Sequence, residues 1–259
     1  MLPRAKKRFG QHFLTDRHYL TRIAEAIAPK AGDSMVEIGP GTGILTAELV
    51  PKIDRLHAVE IDRDLAADLA ARFPEDRLAI HRADALDFDF ASLPAPLRVV
   101  GNLPYNVSTP ILFRVAAIAD RLEDAIFMLQ REVVERMVAD PGTEDYGRLS
   151  VMLQYRFAMA LLFRVPPGAF TPPPKVDSAV VLMKPLAADR PRARDDELFA
   201  KIVMAAFSQR RKTLRNAVRS LVPAEAFVTS GIDPQRRGET LSVAEFIALS
   251  DAARSSPSL

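Results

Sequence analysis

The sequence has no cysteine among its 259 residues, which excludes disulfides, thiolate nucleophiles and cysteine-ligated zinc together. Histidine is scarce as well. His12, His18, His57 and His81 are scattered and show no metal-ligand spacing, so no metal is expected. There is no run of about eighteen apolar residues that could span a bilayer, and the amino terminus lacks the apolar core of a secretory signal. The expectation is a soluble, cytoplasmic protein without a membrane partner. Net charge is only +2, so a nucleic-acid surface has to be a local patch rather than a general excess. Internal repeats and low-complexity tracts are also missing. What is present is enough chain to bury a full core, with a length that suits one large domain and a small one.

The apolar run Met35-Val36-Glu37-Ile38 reads as a buried strand, and Gly39-Pro40-Gly41-Thr42-Gly43 as a tight turn into a helix over 44–50. The third glycine of the dinucleotide fingerprint is missing after Gly43, so a pyrophosphate site is not indicated. A second run, Leu56-His57-Ala58-Val59, ends at Glu60, where doubly wound folds place the acid that grips ribose hydroxyls. A third run, Leu78-Ala79-Ile80-His81, is followed by Asp84, and a fourth, Leu97-Arg98-Val99-Val100-Gly101, empties into Asn102-Leu103-Pro104-Tyr105. Each polar residue alone is as well explained by a turn or a helix cap. Three of them together with the glycine loop, at the carboxyl ends of four consecutive strands, where open α/β sheets bind ligands, point to a site.

The Asn102 turn suits chemistry on an aromatic amine. The exocyclic nitrogen of adenine is a poor nucleophile because its lone pair is delocalised into the ring. A side-chain amide oxygen and a nearby backbone carbonyl that accept both amine hydrogens favour a pyramidal nitrogen with an available lone pair. Pro104 fixes φ and stiffens the turn, and Tyr105 offers a ring on which a base can stack.

Elsewhere the pattern alternates. Asp16 can cap a helix that turns Leu20, Ile23, Ala24 and Ile27 to one face. Helices are expected over 63–73, 109–119 and 131–138, and strands over 124–130, 160–165 and 179–183. The result is an α/β sheet that starts parallel and ends in an antiparallel hairpin. Apolar periodicity gives way to Pro, Ala and charge near 186–194. Residues 1–186 are therefore read as the α/β domain with a basic arm, and 187–259 as a small all-α domain. The helices of the latter span 196–208, a basic stretch to 221, 224–229, and a last helix opened by the capping box Ser242-x-x-Glu245.

Over nearly its whole length the chain resembles the KsgA/RsmA group of ribosomal RNA adenine dimethyltransferases. The resemblance rests on Lys7-Arg8-Phe9-Gly10-Gln11-His12-Phe13-Leu14, the Val36 to Gly41 segment and Gly101 to Asn106. It continues in Phe127-Met128-Leu129-Gln130-Arg131-Glu132, Tyr146-Gly147-Arg148-Leu149-Ser150, Phe170-Thr171-Pro172-Pro173-Pro174-Lys175-Val176-Asp177-Ser178 and Phe207-Ser208-Gln209-Arg210-Arg211-Lys212. It implies a Rossmann-like, S-adenosylmethionine-dependent methyltransferase sheet with a small C-terminal helical domain. The implied substrate is two neighbouring adenosines near the end of small-subunit (16S) ribosomal RNA, dimethylated on an immature small subunit by an enzyme expected to be monomeric. His12, Leu14, Gly39, Gly41, Glu60, Asp84 and Asn102 are then the cofactor contacts, with Glu60 accepting from the ribose hydroxyls and Asp84 from the cofactor's adenine amine. Asn102, Leu103, Pro104, Tyr105 and Phe170 are the catalytic and target-base residues, with Tyr105 and Phe170 sandwiching a flipped adenine. The family often has Asn where this chain has His12; imidazole still donates one hydrogen bond, but its reach and charge differ.

Two basic clusters carry no acid among them: Arg4, Lys6, Lys7 and Arg8 on the arm, and Arg210, Arg211, Lys212, Arg215 and Arg219. A solvated face accounts for either one alone. With an RNA substrate implied, Arg210, Arg211 and Lys212 are read as phosphate contacts. Three other functions stay in view. A sister enzyme of the antibiotic-resistance type would act on large-subunit RNA, but the Phe170 to Ser178 block and the long helical tail argue against it. A DNA adenine methyltransferase usually has a second proline where Leu103 stands. A non-catalytic assembly or transcription factor would not need the intact set of Gly39, Glu60, Asp84 and Asn102.

Overall fold

The structure, a computed structural model, describes residues 12–209 and 211–255. The basic arm at residues 4–8 and Arg210 lie outside the described residues.

The first helix, α1 (Arg17–Ile27), follows a two-residue strand, β1 (Phe13–Leu14). Asp16 accepts the His18 N–H at 2.8 Å and so satisfies one of the donors orphaned at the helix start. Leu20, Ile23, Ala24 and Ile27 are buried, and each of the larger three contributes about 1.5–3 kcal/mol by leaving water.

Next come β2 (Ser34–Ile38), α2 (Ile44–Leu49), β3 (Leu56–Val59), α3 (Arg63–Arg72), β4 (Leu78–His81), β5 (Leu97–Asn102), α4 (Ser108–Ala117) and β6 (Leu122–Gln130). Then α5 (Arg131–Val138) and α6 (Arg148–Gln154) lead into β7 (Phe157–Val165), β8 (Phe170–Thr171) and β9 (Ser178–Pro185). Among the described residues, seven strands make one sheet in the order β4-β3-β2-β5-β6-β9-β7. Strands β2 to β6 pair in parallel, and β9 runs antiparallel to β6 with Ile126 opposite Leu182. The chain winds outward from β2 to β4, then returns to place β5 on the other side of β2. That reversal opens a crevice at the carboxyl ends of β2 and β5.

Two features hold the reversal together. A Cβ on Gly101 would stand 2.4 Å from the Ile38 carbonyl oxygen, so the backbones approach there as only glycine permits. At the opposite end of β5, the buried Arg98 guanidinium donates to Asp33 at 2.7 Å, to both oxygens of Asp124 at 2.9 Å, and to the Ile27 carbonyl at 2.6 Å. One side chain thereby joins the end of α1 to β5 and β6.

The described residues form two compact units, one running to Val134 and including Ala158–Pro185, the other made of Glu135–Phe157 and the residues from Leu186 onward. The boundary expected at 186–187 falls one residue earlier, and Glu135–Phe157, read as part of the α/β domain, belongs to the second unit. The reason is packing: Tyr146, Val151 and Tyr155 are buried in one core with Phe199, Ile202, Leu214, Phe227 and Phe246. Tyr155 stacks on Phe199 with centroids 4.2 Å apart.

In that unit lie α7 (Asp196–Ser208), α8 (Leu214–Val218), α9 (Ala224–Ser230) and α10 (Val243–Ser255). The capping box opens α10 as expected: the Glu245 N–H donates to Ser242 Oγ at 3.2 Å, and the Ser242 N–H to the Glu245 carboxylate at 2.8 Å. The basic stretch is not one helix to 221. Its helix is confined to α8, because the Leu214 and Arg215 N–H groups are taken by the carbonyls of Arg236 and Pro234, at 2.7 and 3.1 Å. Arg211 and Lys212 lie in the preceding turn, closed by the Lys212 N–H to the Gln209 carbonyl.

Replacing Arg98 with Met should lower the unfolding free energy by about 3–5 kcal/mol, because Asp33 and Asp124 are left as uncompensated charges in a site that excludes water. Urea denaturation followed by circular dichroism measures it, and a loss under about 1 kcal/mol would mean the acids find other partners.

Candidate active site

The crevice predicted by the strand reversal is a cleft of about 220 Å³. Its floor is the loop from β2 to α2, where Gly43 has φ +71° and a Cβ would stand 2.4 Å from Leu69 of α3. At Gly39 a Cβ would meet nothing nearer than the Asn102 carbonyl oxygen, at 3.9 Å. The glycine therefore leaves open the space over the loop, a cradle that a side chain would partly fill.

Of the expected cofactor contacts, His12, Leu14, Gly39, Gly41, Glu60, Asp84 and Asn102 all line this cleft. Glu60 is buried, with one oxygen accepting the Gly41 N–H at 3.1 Å and the other the Asp62 N–H at 2.8 Å. Burial raises its carboxyl above the usual range, and these backbone donors oppose the rise. Each oxygen still has a lone pair for a further donor. Asp84 makes a local turn by accepting the Leu86 N–H at 2.9 Å. Among the described residues no lysine or arginine lines the cleft, whereas Glu37, Glu60 and Asp84 do. Such a cleft disfavours phosphate and suits a phosphate-free ligand that carries hydroxyl and amine donors and positive charge.

The Asn102 turn forms the wall opposite Glu60. The Leu103 N–H donates to the Met128 carbonyl at 3.1 Å, which ties the turn to β6. Asn102 Nδ2 donates to the His12 backbone carbonyl at 3.2 Å. With the donor half of the amide so engaged, its oxygen is turned away from His12 and kept as an acceptor. Pro104 and Tyr105 complete the wall. The Tyr105 ring stacks on the His12 imidazole, with centroids 5.5 Å apart and planes 26° from parallel. His12 Nδ1 donates to the Pro172 carbonyl at 2.9 Å, which fixes the tautomer.

Phe170 is a correction. It does not line the cleft. β8 pairs antiparallel with β1, placing Phe170 opposite Leu14, and the two successive side chains of β8, Phe170 and Thr171, point to opposite faces. Phe170 turns inward to the core beside Leu14, Val165 and Val180, with 3 % of its surface exposed, while Thr171 faces out. The ring on Tyr105 is thus the neighbouring imidazole, not a second phenyl.

Two residues escaped the sequence reading. Ser178 Oγ lies 2.6 Å from the Tyr105 hydroxyl, a pairing that no local pattern announces. Glu37 had a signal, an acid inside an otherwise apolar strand, but no role was attached to it. It is 2 % exposed and accepts from Thr46 Oγ1 at 2.7 Å. Arg211 and Lys212 are exposed in the second unit.

The family described as ribosomal RNA adenine dimethylase matches residues 3–254. The chain belongs to that family. It is 58% identical over 248 residues to a ribosomal RNA small subunit methyltransferase A of Aromatoleum aromaticum, covering 96% of this chain and 94% of that one. A protein of the same name from Laribacter hongkongensis is also 58% identical over 248 residues, with 95% of each covered. Among solved structures, a dimethyladenosine transferase from Plasmodium falciparum shares the fold, with a TM-score of 0.81 at 24% identity, covering 92% of this chain and 96% of that one. The 23S rRNA methyltransferase ErmE superposes with a TM-score of 0.71 at 26% identity, covering 93% and 99%. The expected fold, a Rossmann-like methyltransferase sheet with a C-terminal helical region, is the one found.

Burial raises the Glu37 carboxyl from its usual 4.5 to about 7; the Thr46 hydroxyl opposes the rise and the charge of Glu60 adds to it. Because the folded value lies above the unfolded one, the fold holds this proton more tightly. The stability it contributes is present below pH 4.5 and is lost as pH climbs to about 7. Glu37→Gln removes the titration. Its melting temperature should exceed the parent's above pH 7 and converge with it near pH 4.5. Thermal unfolding across that range checks this, and a gap that does not vary with pH would contradict it.

Proposed function

We propose that this enzyme transfers methyl groups from S-adenosylmethionine to the exocyclic amines of two adjacent adenosines near the 3′ end of small-subunit (16S) ribosomal RNA, dimethylating each. The observation that carries the reading is an acid-lined cleft, without basic residues among the described ones, facing an asparagine whose amide oxygen is held as an acceptor. The small-subunit names of the relatives of near full length support this substrate over large-subunit RNA. In this reading the protein acts as a monomer in the cytoplasm, on an immature small subunit.

The glycine loop leaves room for the methionine part of the cofactor, Glu60 accepts from its ribose hydroxyls, and Asp84 from its adenine amine. His12 and Leu14 close the cleft from the amino-terminal side. When bound, the cofactor supplies an electrophilic methyl group. Asn102 Oδ1 and the Leu103 carbonyl accept the two hydrogens of the target amine and aim its lone pair into the cleft. Tyr105 stacks on the flipped base. No general base is needed before attack, since the methylated ammonium is acidic and releases its proton to solvent. Catalysis is mostly positioning, which supplies much of the barrier reduction when reactants are well oriented. In the second unit Arg211 and Lys212, with Arg210, contact RNA phosphates.

Asn102→Ala should lower turnover roughly a hundredfold or more while cofactor affinity changes little, the mark of an interaction made mainly in the transition state. Single-turnover reactions on immature small subunits, with mono- and dimethyladenosine separated by mass spectrometry, report both methylations. Dimethylation at the parent rate would sink the mechanism.

Neutralising Arg210, Arg211 and Lys212 together should weaken RNA binding and flatten its dependence on log salt by about two units, as fewer counterions are released. Filter binding at a series of salt concentrations measures the slope, and an unaltered slope would make the cluster a solvated surface.

A further inference from the structure

Ser178 is the first residue of β9 and is fully buried, opposite Gln130 of β6. Its hydroxyl reaches across 73 residues of chain to the Tyr105 hydroxyl, at 2.6 Å. The rest of the Tyr105 turn is already fixed. Leu103 is bound to β6, and the Ser108 hydroxyl donates to the Tyr105 carbonyl at 3.2 Å. A tyrosine side chain nonetheless keeps two free torsions, and backbone bonds do not set the tilt of its ring. That tilt is set at two places. The His12 imidazole lies along the ring, and Ser178 holds the phenol tip. Burial raises the Tyr105 phenol above its ordinary range, and either hydroxyl can donate in this bond.

We infer that Ser178 is a positioning residue for methyl transfer: through one hydrogen bond from the sheet, it fixes the plane of the Tyr105 ring on which the target base stacks. The inference rests on the stacking role proposed for Tyr105. Ser178 itself touches neither base nor cofactor. Without its hydroxyl the phenol tip is left in a largely buried place without its partner, and the ring tilts to find another. The amine attached to a base stacked on that ring then moves relative to Asn102, so the loss falls on RNA turnover rather than on the cofactor.

The test uses the full chain and immature small subunits as substrate. Ser178→Ala is expected to lower kcat/KM for the subunits about tenfold. Its affinity for S-adenosylmethionine by calorimetry should stay at the parent's value. Tyr105→Phe keeps the ring and removes the same bond, so it should show a loss of the same size. The double variant should be no worse than either single one, because both changes break one interaction. Should Ser178→Ala fail to fold, Tyr105→Phe carries the test alone. Parent kcat/KM in Tyr105→Phe or in folded Ser178→Ala would overturn the inference, as would a parallel loss of cofactor affinity, which would make Ser178 merely structural. Tyr105→Ala separates the two readings. If it is impaired while Tyr105→Phe is not, stacking stands and the role of Ser178 falls; if it is not impaired either, the stacking reading itself fails.

Discussion

The site depends on how closely two backbones approach at one point. Where β5 passes β2, Gly101 lies against the Ile38 carbonyl, with no room for even a methyl group. That contact brings the ends of two strands 63 residues apart in sequence, at Gly39 and Asn102, to the two sides of one cleft. If the strands stood further apart, the glycine loop and the Asn102 turn would still form, but not opposite each other. Reversal of strand order at this point is what creates a crevice in an open parallel sheet. Arg98 secures the other end of β5 with two carboxylates and a helix carbonyl, so the strand is held at both ends.

A second constraint is the strap from His12 to Thr15. Through β1·β8 pairing and the Thr15 N–H to the Ala169 carbonyl, it binds the segment around Phe170. Through its own carbonyl and ring, His12 binds Asn102 and Tyr105. One short segment thus orients the Asn102 amide and flanks the Tyr105 ring. The imidazole of His12 supplies the ring face, while the backbone carbonyl that meets Asn102 is one that any residue supplies. Acids line the cleft of the first unit, and the exposed cations Arg211 and Lys212 belong to the second unit.

Much of the fold was legible because its signals are local. Short apolar runs and period-3.6 patterns marked most strands and helices of the sheet, and Asp16 and Ser242 marked helix starts through bonds to residues two and three positions away. The errors share a cause. The helix α6, seven residues long, is too short to show a period, and its Tyr155 is committed to Phe199 across the second unit's core. The basic stretch looked helical until carbonyls from residues 234 and 236 captured its amides. Phe170 carried the right motif, but the pairing of β8 with β1 turned its ring inward.

By itself the sequence determined the chemistry available at each strand end: a glycine loop, two carboxylates, and an asparagine in a rigid turn. Those depend on residue type and on neighbours within a few positions, so a linear reading finds them. Only the tertiary structure decided which way each group faces. The Asn102 amide is oriented by a carbonyl 90 residues away and the Tyr105 ring by a hydroxyl 73 residues away. Such bonds leave no periodic trace in the chain, because they exist only once β5, β6 and β9 are side by side.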